Sequence, residues 1–259
     1  MLIKEEQNLK FENTEVWGFE HALRGMRNPK NSWNKTDSHY GCDNDVVCEK
    51  CNMGDEGCIN YKNNYIIGEN DMKLAQTLIK AGSEHRKFMR QIFVSVDITA
   101  PLYWWKEFDT YKVGTVANST STMHKITSQP ITLDCFEIDD YDGNVNCGIN
   151  EIGNECIGVE FEEIFITQLE YLRQKYLETK DKRYWKELIR WLPESWLQKR
   201  TVTMNYENLL AMCSKGQRRF HKLNEWSGQD NPNVPNFISW ARSLPYAQEL
   251  IFIDELETK

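Results

Sequence analysis

The stretch QIFVSVDITAPLYWWKEFDTYKVGTVANSTSTMHK, residues 91–125, decides how this chain is read. Its first part alternates: Ile92, Val94, Val96 and Ile98 share one face and Gln91, Ser95 and Asp97 the other, until Pro101 stops the ladder. FMRQIFVSVDITAP is therefore predicted as a strand with one buried face. Proline is tolerated in a first helical turn, and Leu102, Trp105 and Phe108 follow at threes, so a helix is predicted next. The Trp104–Trp105 run behind the proline reads as core or as a stacking platform for a ring. Residues 107–125 then carry seven Ser, Thr or Asn in nineteen positions, with one Gly and no Pro. That density of small donors beside the most apolar segment suits either the continuation of the helix or a loop, lining a pocket or merely capping and turning the chain.

Working outward, NDMKLAQTLIKAG places Met72, Ala75, Leu78 and Ile79 at helical spacing, with Asn70 or Asp71 to cap the start and Gly82 to end it. ALRGMRNPKN reads as a short helix closed by Asn28 and Pro29. Two helices are predicted at about 161–178 and 182–191, joined by a charged turn at Thr179 to Lys182 and closed by Pro193. TVTMNYENLLAMCSKGQRRFHKLNEW gives a strand leading into a helix, and NFISWARSLPYAQELIFIDEL a last helix interrupted near Pro245. Long helices interleaved with a few alternating strands predict an α/β or α+β fold with a mixed sheet.

Composition bounds the function. With 259 residues, 40% hydrophobic and 27% charged, the chain can bury a full core, and one domain with insertions is expected. A net charge of −8, from 39 acidic against 31 basic residues, disfavours a duplex nucleic-acid face and suits a single nucleotide better. No uncharged apolar run approaches a membrane span, and MLIKEEQNLK lacks a signal-peptide pattern, so a cytoplasmic protein with reduced thiols is expected.

Two segments read as insertions. Residues 41–70 hold Cys42, Cys48, Cys51 and Cys58 in the spacing C-x5-C-x2-C-x6-C, which leaves zinc or plain thiols open, since only CEKC is a paired knuckle. Residues 134–158 are acidic and contain DDYDGN. A calcium loop fails there: with Gly143 at its sixth position, the first and twelfth would be Ile138 and Ile149.

GSEHRKFMRQIFVSVDITAPLYWWKEFDTYKVGTVANSTSTMHK resembles, in order and spacing, the central segment of the flavin-dependent thymidylate synthases: Glu84 and His85, then Ala100 and Pro101 ending an apolar strand, then an aromatic helix. LIRWLPESWLQKRTVTMNYENLLAMC resembles that family's leucine-proline turn, strand and N-x-R-x-L helix start, here Asn205 to Leu209. Together these segments cover about a quarter of the chain, 70 of its 259 residues. The resemblance implies the family's fold, a homo-oligomer with sites between subunits, FAD as cofactor, a nucleotide partner such as dUMP, and methyl transfer from methylene-tetrahydrofolate. A non-catalytic relative, sensing nucleotides or meeting a protein partner, is the alternative.

The chain departs from the family where phosphate and flavin are held. The signature R-H-R-x-x-S-x-x-x-x-S-x-R becomes Thr110, Tyr111, Lys112, then Thr115, Thr120 and Thr122, and the N-x-R-x-L arginine becomes Glu207. A guanidinium makes paired bonds to phosphate that a hydroxyl cannot replace. The resemblance therefore implies a pocket lined by Thr110, Tyr111, Lys112, Thr115, Ser119, Thr120, Ser121, Thr122 and His124, facing Asn205. His85 stands at the strand entrance to orient a ligand or cap the sheet. Arg218 or Arg219 in CSKGQRRFHKLNEW replaces the missing charge or merely favours a helix dipole. No catalytic acid or base is nominated.

Overall fold

The computed structural model describes residues 9–41, 65–111, 113–139, 161–216 and 219–258. The predicted strand becomes β4 (Phe93–Pro101), the middle of the molecule. Val94, Val96, Ile98 and Ala100 are fully buried along one face, as the alternation requires. Residues 87–91 do not join it. They form a 3-10 turn that buries Phe88 and Met89, because two adjacent apolar side chains cannot share one face of a strand.

β4 sits between β1 (Lys10–Trp17) and β6 (Leu197–Asn205), and β5 (Val116–Ser119) completes the order β1-β4-β6-β5. Every pairing in this sheet is antiparallel, which narrows the mixed sheet expected from sequence. The β4–β6 register sets Val94 opposite Met204 and Val96 opposite Val202, so cross-strand pairs of buried side chains build the core face. The opposite face is polar: Ser95 meets Thr203 at 3.3 Å, and Asp97 accepts from Thr201 at 2.6 Å and from Asn13 at 3.0 Å. It ends in an exposed pair, Trp17 stacked on Phe93 at 5.8 Å.

Helices cover the core face. α1 (Phe19–Arg27) follows β1 through Gly18, whose φ of +96° and whose approach to the Gln91 carbonyl leave no room for a Cβ. α2 (Glu69–Lys80) buries Ala75 and Ile79. Neither Asn70 nor Asp71 caps it with its own side chain. Asp37 reaches across instead, accepting the Asn70 and Asp71 amides at 2.8 and 3.1 Å. Asp71 is wholly buried, where it pairs with Arg27 at 2.5 Å and accepts from Thr36 and Ser38. A short ladder of β2 (His39–Tyr40) and β3 (Tyr65–Ile66) lies beside it.

α3 (Leu102–Phe108) begins behind Pro101, and its Trp104, Trp105 and Phe108 are core. Trp104 packs on Trp226 of α8 (Asn224–Ser227) at 5.5 Å, and Trp226 on Phe237 of α9 (Phe237–Arg242) at 4.6 Å. The tryptophan run is thus packing. The hydroxyl-rich stretch is neither a continued helix nor a plain loop: it forms a 3-10 turn over Asp109–Tyr111, edge strand β5 and short helix α4 (Thr122–Lys125). A smaller apolar cluster joins Ile126, Ile131 and Phe136 to Leu169 and Leu172 of α5 (Phe161–Thr179) and Leu188 of α6 (Lys182–Arg190). α7 (Tyr206–Met212) leaves β6 directly, and α10 (Ala247–Leu250) lies past Pro245. No helix among the described residues is long and apolar enough to cross a membrane.

Candidate functional site

β5 lies on the outer edge of the sheet, pairing Val116 with Thr203, Asn118 with Thr201 and Ser119 with Arg200. All four of its residues are exposed. The hydroxyls of the surrounding stretch divide into two kinds. Some are used locally: Thr110 donates to the Glu107 carbonyl at 2.8 Å, and Thr115 to the Tyr111 carbonyl at 3.4 Å. Ser121 caps α4 by accepting the His124 amide, and Thr122 accepts from Gln198 at 3.3 Å. Ser119 and Thr120 are different. Their side chains are exposed and make no hydrogen bond with the described residues, beside the exposed His124 and Lys125.

Below this edge lies a cation that sequence reasoning missed. Arg200 stacks 4.1 Å over the Trp105 ring, donates to Gln198 at 2.9 Å and pairs with Asp109 at 3.0 Å, with 15% of its side chain exposed. It reads in sequence as one more polar strand residue, and only the register puts it opposite Ser119. Tyr111 is held from both sides: its ring stacks on Trp226 at 5.6 Å and its hydroxyl donates to Glu107 at 3.3 Å. The other Glu107 oxygen faces His221 Nε2 at 3.5 Å, while His221 Nδ1 accepts the Leu223 amide, so the neutral ring carries its proton toward Glu107.

The N-terminus of α7 closes the other side. Asn205 and Asn208 cap each other reciprocally at 3.0 and 3.1 Å, which satisfies two otherwise unpaired amides. Asn208 also donates to the Val113 carbonyl at 2.5 Å, tying the turn before β5 to this helix. Gly114 follows at φ +85°, where a Cβ would meet the Asn205 and Asn208 amides at 3.2–3.3 Å. Asn205 is therefore a cap, only 8% exposed.

Glu207 occupies the position where the resemblance places an arginine, and it is gripped by two: Arg86 at 3.2 Å and Arg90 by a short contact from Nε and a second from Nη2 at 3.3 Å. Burial pushes its carboxyl up, but Arg90 and Arg86 together outweigh this and hold it below its ordinary range. Arg86 also lines a cavity of about 520 Å³ walled by Ile79, Leu210, Ala211 and Ser214. His85 lies next to it, exposed in the turn after Gly82.

Arg219 lies apart from these groups. It is buried, donates to the Cys213 carbonyl at 2.9 Å and pairs with Glu255 and Asp254 at 2.9 and 2.7 Å, so its charge is spent within the chain. Lys112 and Arg218 fall outside the described residues, as do Cys42, Cys48, Cys51, Cys58 and residues 140–160 of the acidic segment. Among the described residues no group of three His, Cys, Asp or Glu side chains forms a metal cluster.

Several solved structures share this fold. A flavin-dependent thymidylate synthase from Helicobacter pylori, complexed with FAD and dUMP, superposes with a TM-score of 0.57 at 13% identity, covering 96% of this chain and 99% of that one. A second structure of the synthase from the same organism, also with FAD and dUMP, gives 0.57 and 13%, over 96% and 98%. A UMP/dUMP methylase from Streptomyces cacaoi, bound with 5-Br dUMP, gives 0.50 at 12%, over 96% of each chain. No protein-family model matches the sequence, and no curated protein does. The architecture is thus that of the flavin-dependent thymidylate synthases.

Proposed function

We propose that this chain binds a pyrimidine nucleotide such as dUMP, with FAD, between the 110–125 edge and the start of α7, as a divergent thymidylate-synthase-like enzyme. One observation carries the reading most: Ser119 and Thr120 present unspent hydroxyls on the outer edge of a fold whose solved examples include complexes with FAD and dUMP. Neutral alcohols donate to phosphate and carbonyl oxygens, Lys125 beside them adds positive charge and His124 a ring N–H, where Arg200 and Glu207 contribute little net charge. The residues fit an oxygen-rich ligand of modest charge. FAD, when bound, supplies hydride transfer. The chain's own share is to hold the nucleotide, with Thr115, Ser121 and Thr122 fixing the turn and Lys112 within the same stretch.

The exposed Trp17–Phe93 pair on the open sheet face supports assembly into a homo-oligomer. A second reading, a nucleotide sensor without catalysis, is favoured by Glu207, which puts a carboxylate where the resemblance implies a phosphate-holding arginine.

Absorbance of the purified protein near 450 nm and its thermal stability with FAD and with dUMP test both. A ligand that binds the native state at 100 times its Kd adds about 2.7 kcal/mol. Yellow protein stabilised by both ligands is the expected result. Stabilisation by dUMP alone selects the sensor; stabilisation by neither overturns both.

A further inference from the structure

At the opposite end of α2 from His85, two neighbouring hollows share Arg27. Twelve residues at about 1.5 Å each place that end roughly 18 Å along the helix from Lys80. The larger hollow, about 720 Å³, is lined by Lys30, Lys35, Asn31, Asn34, Asn70 and Ser32, with Arg27 and Leu74 and no carboxylate among the described residues. In a chain of net charge −8 that lining is unusual.

Nearby acids are committed elsewhere. Both oxygens of Asp37 accept backbone amides of α2, Asp71 is consumed by Arg27, Thr36 and Ser38, and Glu69 pairs with Lys73 at 2.6 Å. Arg27 is neutralised by Asp71, whereas Lys30 and Lys35 are exposed and have no acidic partner among the described residues. The wall is rigid. The Ser32 amide donates to the Arg27 carbonyl at 3.2 Å, and the Arg27 guanidinium returns a bond to the Ser32 carbonyl at 3.3 Å.

The smaller hollow, about 310 Å³, sets the rings of Trp33, Tyr40 and Tyr65 beside polar groups that include Arg24 and one carboxylate, Glu20, which accepts from the Tyr40 hydroxyl at 3.2 Å. Trp33 is 48% exposed, yet its indole N–H is fixed by Asn28 at 2.8 Å, so a large flat surface stands ready without losing freedom on binding. Tyr40 and Tyr65 meet edge to face at 5.0 Å behind it.

We infer that this surface is a second ligand site, taking the phosphate of a nucleotide between Lys30, Lys35 and the three carboxamides and stacking its base against Trp33. Two ammonium groups match a dianionic phosphate monoester, and carboxamides donate to its remaining oxygens without adding charge. Base stacking on an aromatic ring is tolerant of base identity. The site stands independently of the one at β5 and α7. The same chemistry serves a free nucleotide or the phosphorylated end of a single strand.

Calorimetric titration of AMP and of a 5′-phosphorylated single-stranded DNA hexamer into the full chain tests this. The Lys30→Glu/Lys35→Glu variant, altered only at exposed positions, is expected to lose at least tenfold in affinity for whichever probe binds the native chain. A hexamer binding at least tenfold tighter than AMP identifies a strand end as the source; equal or weaker hexamer binding identifies the free nucleotide. No saturable binding of either probe, or unchanged affinity in the charge-reversed variant, overturns the inference.

Discussion

Glu207 stands where the resemblance implies an arginine, and the structure gives it two arginine partners of its own. A carboxylate 15% exposed, gripped by Arg86 and Arg90, contributes stability because the two guanidinium groups favour its charged form. Because the folded carboxyl is held below its unfolded value of about 4.3, this contribution is present above that pH and lost as pH falls through the folded value. Glu207→Gln should therefore destabilise the protein by about 1–3 kcal/mol at pH 7, the typical cost of losing charge-assisted bonds. The gap from wild type should narrow as pH falls below about 4 in thermal melts. An equal gap at pH 7 and pH 3.5 would remove the ion pair as its cause. This network was not legible in the sequence: Arg90 and Glu207 stand 117 positions apart, and neither belongs to a local motif. Asn205, by contrast, was singled out, though on family likeness, and the described structure gives it a capping role.

Among the elements, legibility tracked burial on one face. β4 could be read because its alternation reports a half-buried surface, and α3 because Pro101 and threes of aromatics mark its start and its stripe. β5 could not, since an edge strand exposed along its whole length has no apolar period to report. β1 was missed for a related reason: KFENTEVW is charged and mostly exposed, and it bulges near Asn13. What pins β5 is the turn before it. Gly114→Ala should cost about 1–2 kcal/mol for the left-handed backbone plus a clash with the Asn205–Asn208 cap. Gly82→Ala, also left-handed at φ +108° but with open space around it, supplies the internal control. Denaturant midpoints showing Gly114→Ala no worse than Gly82→Ala would mean the turn is not braced by the cap.

For the whole molecule, the mixed helix–strand composition pointed to the right fold class, but strand order was not readable, because β5 must cross back to pair with β6 over a connection that carries α5 and α6. Of the proposed ligand edge, the sequence offered the hydroxyl row without saying which members would be spent; the structure commits Thr110, Thr115 and Ser121 to local bonds and leaves Ser119 and Thr120 facing outward. Arg200 and the Glu107–His221 contact emerge only when β6 and the segment before α8 are brought alongside. The molecule that results keeps the synthase architecture while most of its guanidinium charge is paired internally.

The affinity of dUMP for wild type against Ser119→Ala/Thr120→Ala, measured by calorimetry on proteins with matched melting temperatures, tests this account most directly. Two neutral hydrogen bonds at about 0.5–1.5 kcal/mol each predict a loss of roughly five- to 150-fold. Equal affinity in the two proteins would contradict it.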